Sequence, residues 1–248
     1  MSKAIVIKIG TNVVCEVSGR PDPSYLLSLA AQCHAALQKG HKIVLVMSGA
    51  IGSGMEQLKL PKRPEDIVLR QVCASVGQPR LMQHLQDAFS KYNRTVAQIL
   101  VSKHTLSLAQ TRNNMIAATN RMLDMGIIPI INENDAIATD EIEINFGDND
   151  ELSSEFAVSI EAQGLLMLTT ADGVLKDDQP LKEVSAKDID QIKIHSSSGL
   201  GKGGMASKLR STLRAAMSIP NVAIANGRAE KVIELFCDGQ AVGTRIRA

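Results

Sequence analysis

Aromatic side chains make up only 2% of the 248 residues, and tryptophan is absent. Net charge is almost nil, since 27 Lys and Arg against 26 Asp and Glu leave a formal +1 at pH 7. Binding nucleic acid draws on a basic excess for phosphates and on aromatic platforms for bases, so this composition argues against a nucleic-acid partner. Long apolar runs are missing too. Stretches such as Ile127 to Ile131 fall far short of the roughly 20 residues that span a bilayer, and no membrane association is expected. Met1 to Lys8 leads straight into AIVIKI without the apolar core and small-residue cleavage site of a secretory signal, so a cytoplasmic location is expected. The four cysteines, Cys15, Cys33, Cys73 and Cys237, form no CxxC pair and have no histidine at metal-ligand spacing. They read as buried or incidental thiols. His34, His41, His84, His104 and His195 are equally scattered, and neither GxSxG nor HExxH occurs, which removes the usual hydrolase devices.

What is present is globular: 44% hydrophobic and 21% charged residues. Short β-branched runs recur at 4–9, 42–47, 95–101, 126–132, 165–170 and 221–226, each followed by Gly, Ser, Asn or Thr and then by a longer helical pattern. Runs without polar alternation fit strands buried on both faces, and their alternation with helices predicts parallel βαβ units. The expected fold class is α/β, a three-layer αβα sandwich around a mostly parallel sheet. Helices are predicted from Pro23 to Lys39, Glu65 to Tyr92, Ser107 to Met125, Asp150 to Gln163 and Met205 to Ser218. Leu175 to Ile194 reads as turns and short strands between main-sheet elements. No repeat or linker divides the chain, so residues 1–248 are expected to form one domain whose halves bind different ligands.

In such sheets, ligands gather at the carboxyl ends of the strands. There, Lys8 lies inside the first apolar run and is followed by Gly10, Thr11 and Asn12. A lysine in a buried strand is costly unless it meets an anion, and a glycine turn lets backbone N–H groups approach a phosphate; the alternative is a lysine snorkelling at a strand end. The second run ends MSGAIGSG, residues 47–54, small enough for close approach of an anionic ligand or simply for tight packing. IINENDAI (130–137) and FGDNDELS (146–153) supply Asp135, Asp148 and Asp150 with Asn132, Asn134 and Asn149. Those carboxylates and amides suit a ligand ammonium group or the positioning of cationic side chains, against the plainer reading of turns and helix caps. Gly199, Gly201 and Gly204 satisfy GxGxxG, but the acid that should end the next strand of a dinucleotide site is missing. A Walker A loop fails as well, because Lys208 comes one helical turn after the last glycine. What remains is a glycine loop presenting Lys202 and then Lys208, which with Lys8 could handle several phosphate charges.

KIGTN at 8–12, SGAIGSG at 48–54, QVCASVGQPRLM at 71–82, INENDA at 131–136, FGDNDELS at 146–153 and GGMASK at 203–208 together resemble the amino acid kinase family. FGDND with INENDA points to its glutamate-phosphorylating branch; sister kinases acting on acetylglutamate, aspartate or uridylate are the alternative. The resemblance implies phosphorylation of the γ-carboxylate of L-glutamate by ATP with Mg2+, the first step toward proline. It implies Lys8 and Lys208 as catalytic, with Asp150 orienting them. Ser48, Gly49, Ala50, Asp135, Asp148 and Asn149 would hold glutamate. Lys8, Gly10, Thr11, Thr169, Thr170, Lys202, Gly203, Gly204, Met205 and Lys208 would line the ATP site, and no protein-held metal site is implied. It further implies a homo-oligomer (dimer or tetramer), proline as a feedback inhibitor and glutamyl phosphate reductase as a functional partner. Three departures stand out: no C-terminal PUA domain is expected within 248 residues, Met47 replaces an expected second serine, and Thr170 replaces a common aspartate. A nicotinamide-dependent oxidoreductase and a noncatalytic amino-acid sensor are the rivals from other classes; the first needs the missing ribose acid, and the second should lose a catalytic lysine.

Overall fold

The apolar runs become a sheet because each is too short for a helix and too uniformly apolar to face water. A computed structural model describes residues 4–137, 149–177, 179–191 and 204–248. Its strands are β1 (Ile5–Ile9), β2 (Ile43–Met47), β3 (Val96–Val101), β4 (Ile128–Glu133), β5 (Gly164–Thr169), β6 (Leu175–Lys176), β7 (Gln179–Pro180), β8 (Glu183–Ser185), β9 (Asn221–Asn226) and β10 (Thr244–Arg247). The helices are α1 (Thr11–Val14), α2 (Pro23–Gln38), α3 (Ala50–Gln57), α4 (Ile67–Ser90), α5 (Lys103–Ser107), α6 (Ala109–Asp124), α7 (Asn149–Ser159), α8 (Met205–Ala216) and α9 (Val232–Cys237), with a 3-10 turn at Ala186–Gln191. Strand order in the main sheet is β3-β4-β2-β1-β5-β9-β10-β8. The first six of these run parallel, and β10 turns antiparallel to β9.

Side chains alternate across β1 with the period of two that any strand imposes. Ile5, Ile7 and Ile9 pack with Leu26 and Leu29 of α2, Leu85 and Phe89 of α4, and Phe236 of α9. Val6 packs on the other face with Leu123 of α6, Phe156 of α7 and Leu209 and Leu213 of α8. Helices therefore cover both faces, which gives the expected three layers. β1 sits between β2 and β5, at the point where successive connections lead to opposite sides; the crevice beyond its carboxyl end is the usual ligand position in an open α/β sheet. All four cysteines are buried and free. Burial pushes the Cys15 and Cys237 thiols up to about 12, so they stay neutral and unreactive at physiological pH.

Two local readings differ from expectation. MSGAIGSG, for which no helix was predicted, winds into α3 after Ser48 and a left-handed Gly49 with φ of 112°, in keeping with the tight-packing reading of its small residues. Small residues permit this through close helix packing, since a Cβ on Gly54 would stand 1.8 Å from the Cys73 carbonyl oxygen and one on Gly77 1.8 Å from that of Ala50. The segment around 175–191 also contributes more than an excursion, because Glu183–Ser185 joins the main sheet as the parallel partner of β10.

The α3–α4 crossing makes a direct prediction. Gly77→Ala must push α4 away from the first turn of α3, and overpacking of this kind costs about 2 kcal/mol or more. Urea unfolding should show that loss, whereas an alanine at exposed Gly126, where a Cβ meets nothing within 4 Å, should cost only the strain of its positive φ.

Candidate functional site

Period-two alternation puts Lys8 on the same face of β1 as Val6, under α7 and α8. It is fully buried at 0% exposure, as is Asp150, the second residue of α7. Lys8 Nζ donates to Asp150 Oδ1 at 2.5 Å, and Lys208 Nζ, from the first turn of α8, donates to Oδ2 at 3.0 Å. Both carboxylate oxygens are thus engaged by cations. Removing three charges from water is expensive, and here two ammonium groups share one carboxylate. Three segments far apart in sequence are held together by this contact.

On the β2–β4 side, Ser48 follows β2 and Asn149 opens α7. Asn149 Nδ2 donates to the Met47 carbonyl at 2.7 Å, to Asn132 Oδ1 at 2.8 Å and to Ser48 Oγ at 3.1 Å. Met47 therefore serves through its backbone, while its fully buried side chain packs in the core; the departure from serine there leaves this contact intact. Gly49 needs to be glycine twice over, for its positive φ and because a Cβ would approach Cys15 Sγ to 3.0 Å. Next to these residues opens a cleft of about 630 Å³, whose walls include Ala50, Gln78, Met82, Glu133, Asn134 and Asp135. Its carboxylates and amides, with no lysine or arginine among the described lining residues, favour a ligand carrying an ammonium group.

On the β5–β9 side, Thr169 ends β5 opposite Asn226 of β9, and Thr170 follows, exposed. Gly10 N–H donates to the Leu168 carbonyl at 3.4 Å, and a Cβ on Gly10 would stand 3.8 Å from Lys8 Nζ, so glycine keeps the space above that ammonium open. Thr11 begins α1 immediately afterwards. Gly204 and Met205 open α8, four and three residues before Lys208. Asp148, Lys202 and Gly203 lie outside the described residues.

Two residues that the sequence did not single out join these loops. Gln78 of α4 accepts from Asn132 Nδ2 at 2.7 Å and donates to Gln98 of β3 at 2.8 Å. Arg228, just after β9, donates to Asp22 at 3.0 Å and to the Val13 carbonyl at 3.1 Å, tying that loop to the short helix after β1. Hydrogen bonds from Ser24 and then Tyr25 and Arg228, against some desolvation, hold the Asp22 carboxyl below its ordinary range. The signal for Arg228 was its place directly after NVAIANG; Gln78 carried none beyond lying in a motif segment.

A family model described as the amino acid kinase family matches residues 3–226. The chain is 37% identical over 252 residues to a glutamate 5-kinase of Geobacter sp. (strain M21), covering 98% of this chain and 67% of that protein. It is 39% identical over 256 residues to a glutamate 5-kinase of Yersinia enterocolitica (serotype O:8 / biotype 1B), covering 100% of this chain and 69% of that one. Among solved structures it is similar to carbamate kinase from Giardia lamblia bound to AMP-PNP, with a TM-score of 0.69 and 15% identity over 99% of this chain and 98% of the other. At that identity the likeness speaks to the fold alone.

The charge trio also predicts a stability effect independent of any ligand. Asp150→Asn leaves two buried ammonium groups facing a neutral amide, and breaking a buried pair from one side costs roughly 3 kcal/mol. Chemical denaturation of the variant should show this loss, and a change of less than about 0.5 kcal/mol would mean that the lysines do not depend on that carboxylate.

Proposed function

The chain belongs to the amino acid kinase family, and from that premise we propose that it is a kinase transferring the γ-phosphoryl group of ATP to the γ-carboxylate of L-glutamate. The product is L-glutamyl 5-phosphate, and the step is the first of proline biosynthesis. The observation that carries the site assignment is the buried trio of Lys8, Asp150 and Lys208 between two ligand-facing loop sets.

The chemistry needs no general base. A glutamate side chain with a pKa of about 4.3 is ionised at pH 7, so the nucleophile arrives ready, and the scattered histidines are not required. The difficulty is bringing one anion up to another. Catalysis of such a transfer is positioning plus electrostatic stabilisation, and preburied ammonium groups that need no reorganisation supply it. In this reading Ser48, Gly49, Ala50, Asp135, Asp148 and Asn149 hold glutamate in the N-terminal half. Gly10, Thr11, Thr169, Thr170, Lys202, Gly203, Gly204 and Met205 cradle ATP, mostly from the C-terminal half. Lys8 and Lys208 flank the transferring phosphoryl group, and Asp150 fixes their direction.

Mg2+ fits this arrangement as the partner of the nucleotide phosphates. Both oxygens of Asp150 are taken by ammonium groups, and no group of three or more His, Cys, Asp or Glu that could hold a metal occurs among the described residues. A hard cation keeps phosphate and water oxygens as ligands readily, and its chemistry is to neutralise β- and γ-phosphate charge. Proline, which retains an α-carboxylate and a protonated amine, is proposed as an inhibitor, glutamyl phosphate reductase as the consumer of the labile product, and a homo-oligomer as the assembly. No helix among the described residues is long and apolar enough to cross a membrane; a cytoplasmic location is proposed.

Acceptor choice tests the reading. In an ATP-consumption assay across glutamate, N-acetylglutamate, aspartate, carbamate and uridylate, glutamate should be preferred and its acetylation should abolish turnover, because an amide cannot give Asp135 the charge of an ammonium group. Equal rates with N-acetylglutamate would overturn the branch assignment.

Lys208 carries a second test. With its ammonium group placed to count most as charge moves to the leaving oxygen, Lys208→Ala should lower kcat on the order of a hundredfold with little change in glutamate KM. Lys208→Arg should rescue poorly, since a planar fork does not replace a point charge in a tight site. Near wild-type turnover in the alanine variant would remove Lys208 from the mechanism.

A further inference from the structure

The amides beside the acceptor site form a chain whose direction is fixed by the backbone at two points. Side-chain amides are symmetric in shape, so their oxygen and nitrogen are normally told apart only by their partners. Here Glu133 N–H, which can only donate, meets Asn132 Oδ1 at 2.9 Å. The Met47 carbonyl, which can only accept, meets Asn149 Nδ2 at 2.7 Å. Everything between follows. Asn132 Oδ1 also accepts from Asn149, so Asn132 Nδ2 must turn the other way, where Gln78 Oε1 accepts it, and Gln78 Nε2 then points to Gln98 Oε1.

The consequence falls on Asn149. Its two amide hydrogens are spread over three acceptors, Met47 O, Asn132 Oδ1 and Ser48 Oγ, so nothing on its nitrogen is left for a ligand. Oδ1 takes part in none of these bonds. Asn149 can therefore offer a ligand an acceptor and no donor, while Ser48, which receives a hydrogen through Oγ, still has its own hydroxyl hydrogen to give. Gln78, Asn132 and Asn149 are 7%, 2% and 8% exposed, so each lost partner would be a buried polar group left unsatisfied.

We infer that Gln78 is a positioning residue for the acceptor site: it steadies Asn132, which together with the Met47 carbonyl engages the Asn149 amide nitrogen, so that Asn149 presents only its oxygen to the substrate and favours an ammonium group over a carboxylate. This rests on the glutamate reading above and adds the origin of its selectivity.

The test compares Gln78→Leu with the wild type on two ligands, glutamate and glutarate, which lacks the ammonium group; glutarate is assayed as substrate or as competitive inhibitor. Gln78→Leu should raise glutamate KM tenfold or more, change kcat and ATP KM by less than about threefold, and leave glutarate affinity nearly unchanged, so that the preference for glutamate collapses. Equal losses for both ligands would make Gln78 a merely structural residue, and unchanged glutamate KM in Gln78→Leu would sink the inference. A readout without turnover keeps it separate from the functional reading. In nitrogen-15 NMR of the ligand-free protein, the Asn132 and Asn149 side-chain amide protons should exchange slowly with water in the wild type, and those of Asn132 should lose that protection in Gln78→Leu. If wild-type protein shows protection but no glutamate-dependent ATP turnover, the functional reading fails and the relay stands; fast exchange in the wild type overturns the relay itself.

Discussion

Burial of Lys8 in the middle of the sheet is the constraint on which the arrangement turns. A lysine with no exposed surface, three residues into the strand flanked by β2 and β5, is tolerable only where its charge is met. Asp150 meets it from α7, and Lys208 meets the same carboxylate from α8. One ion cluster thus pins the N-terminal strand to two helices from the later part of the chain, and it does so at the carboxyl end of the sheet. A one-residue slip of β1 would turn Lys8 into the layer now filled by Ile7, Ile9, Leu26 and Phe89, where only apolar side chains await it. Register is therefore enforced by charge as well as by packing.

On the proposed reading, the same geometry separates the two ligand regions. β2 and β4 lie on one side of β1 and β5 and β9 on the other, so the loops with Ser48 and Asp135 cannot mix with those carrying Thr169 and Gly204. Reactants held in different loop sets meet only at the strand between them. That is an economical way to bring two anions together, because the cations sit on the dividing line and need no movement of either loop set to reach both.

Legibility in the sequence followed the physics of each part. The six main strands fall within a residue or two of the apolar runs, since double-faced burial leaves no polar alternation to confuse the reading. Helix α2 was plain from Pro23 at its start and Gly40 beyond its end. α3 was hidden, because Gly, Ser and Ala are ordinary loop residues, and it exists only through the close crossing at Gly54 and Gly77. β10 was missed although TRIR alternates, with Thr244 and Ile246 buried and both arginines exposed; four residues make too short a signal. Of the site, Lys8 announced itself by lying in an apolar strand, whereas its pairing with Asp150 followed from family resemblance and not from spacing. Gln78 was invisible, since a glutamine in a long helix is ordinary until its neighbours in space are known.

These two kinds of buried polar structure divide the work of a phosphoryl-transfer site. The Lys–Asp–Lys cluster is strong and nondirectional: ammonium groups attract any phosphate without saying which one. The amide chain is weak and directional: each neutral bond contributes on the order of 1 kcal/mol net, yet its polarity cannot be reversed without setting Asn132 Oδ1 or the Met47 carbonyl against another acceptor. On the proposed reading, charge density governs the rate and hydrogen-bond direction the choice of acceptor. Asn149 and Asp150, adjacent at the start of α7, place one member of each system on consecutive residues, so any movement of that helix end would disturb attraction and selection together. Packing of Leu152 and Phe156 into the core behind them holds the helix end still, and it is this apolar anchoring that lets both polar systems keep their geometry before a ligand arrives.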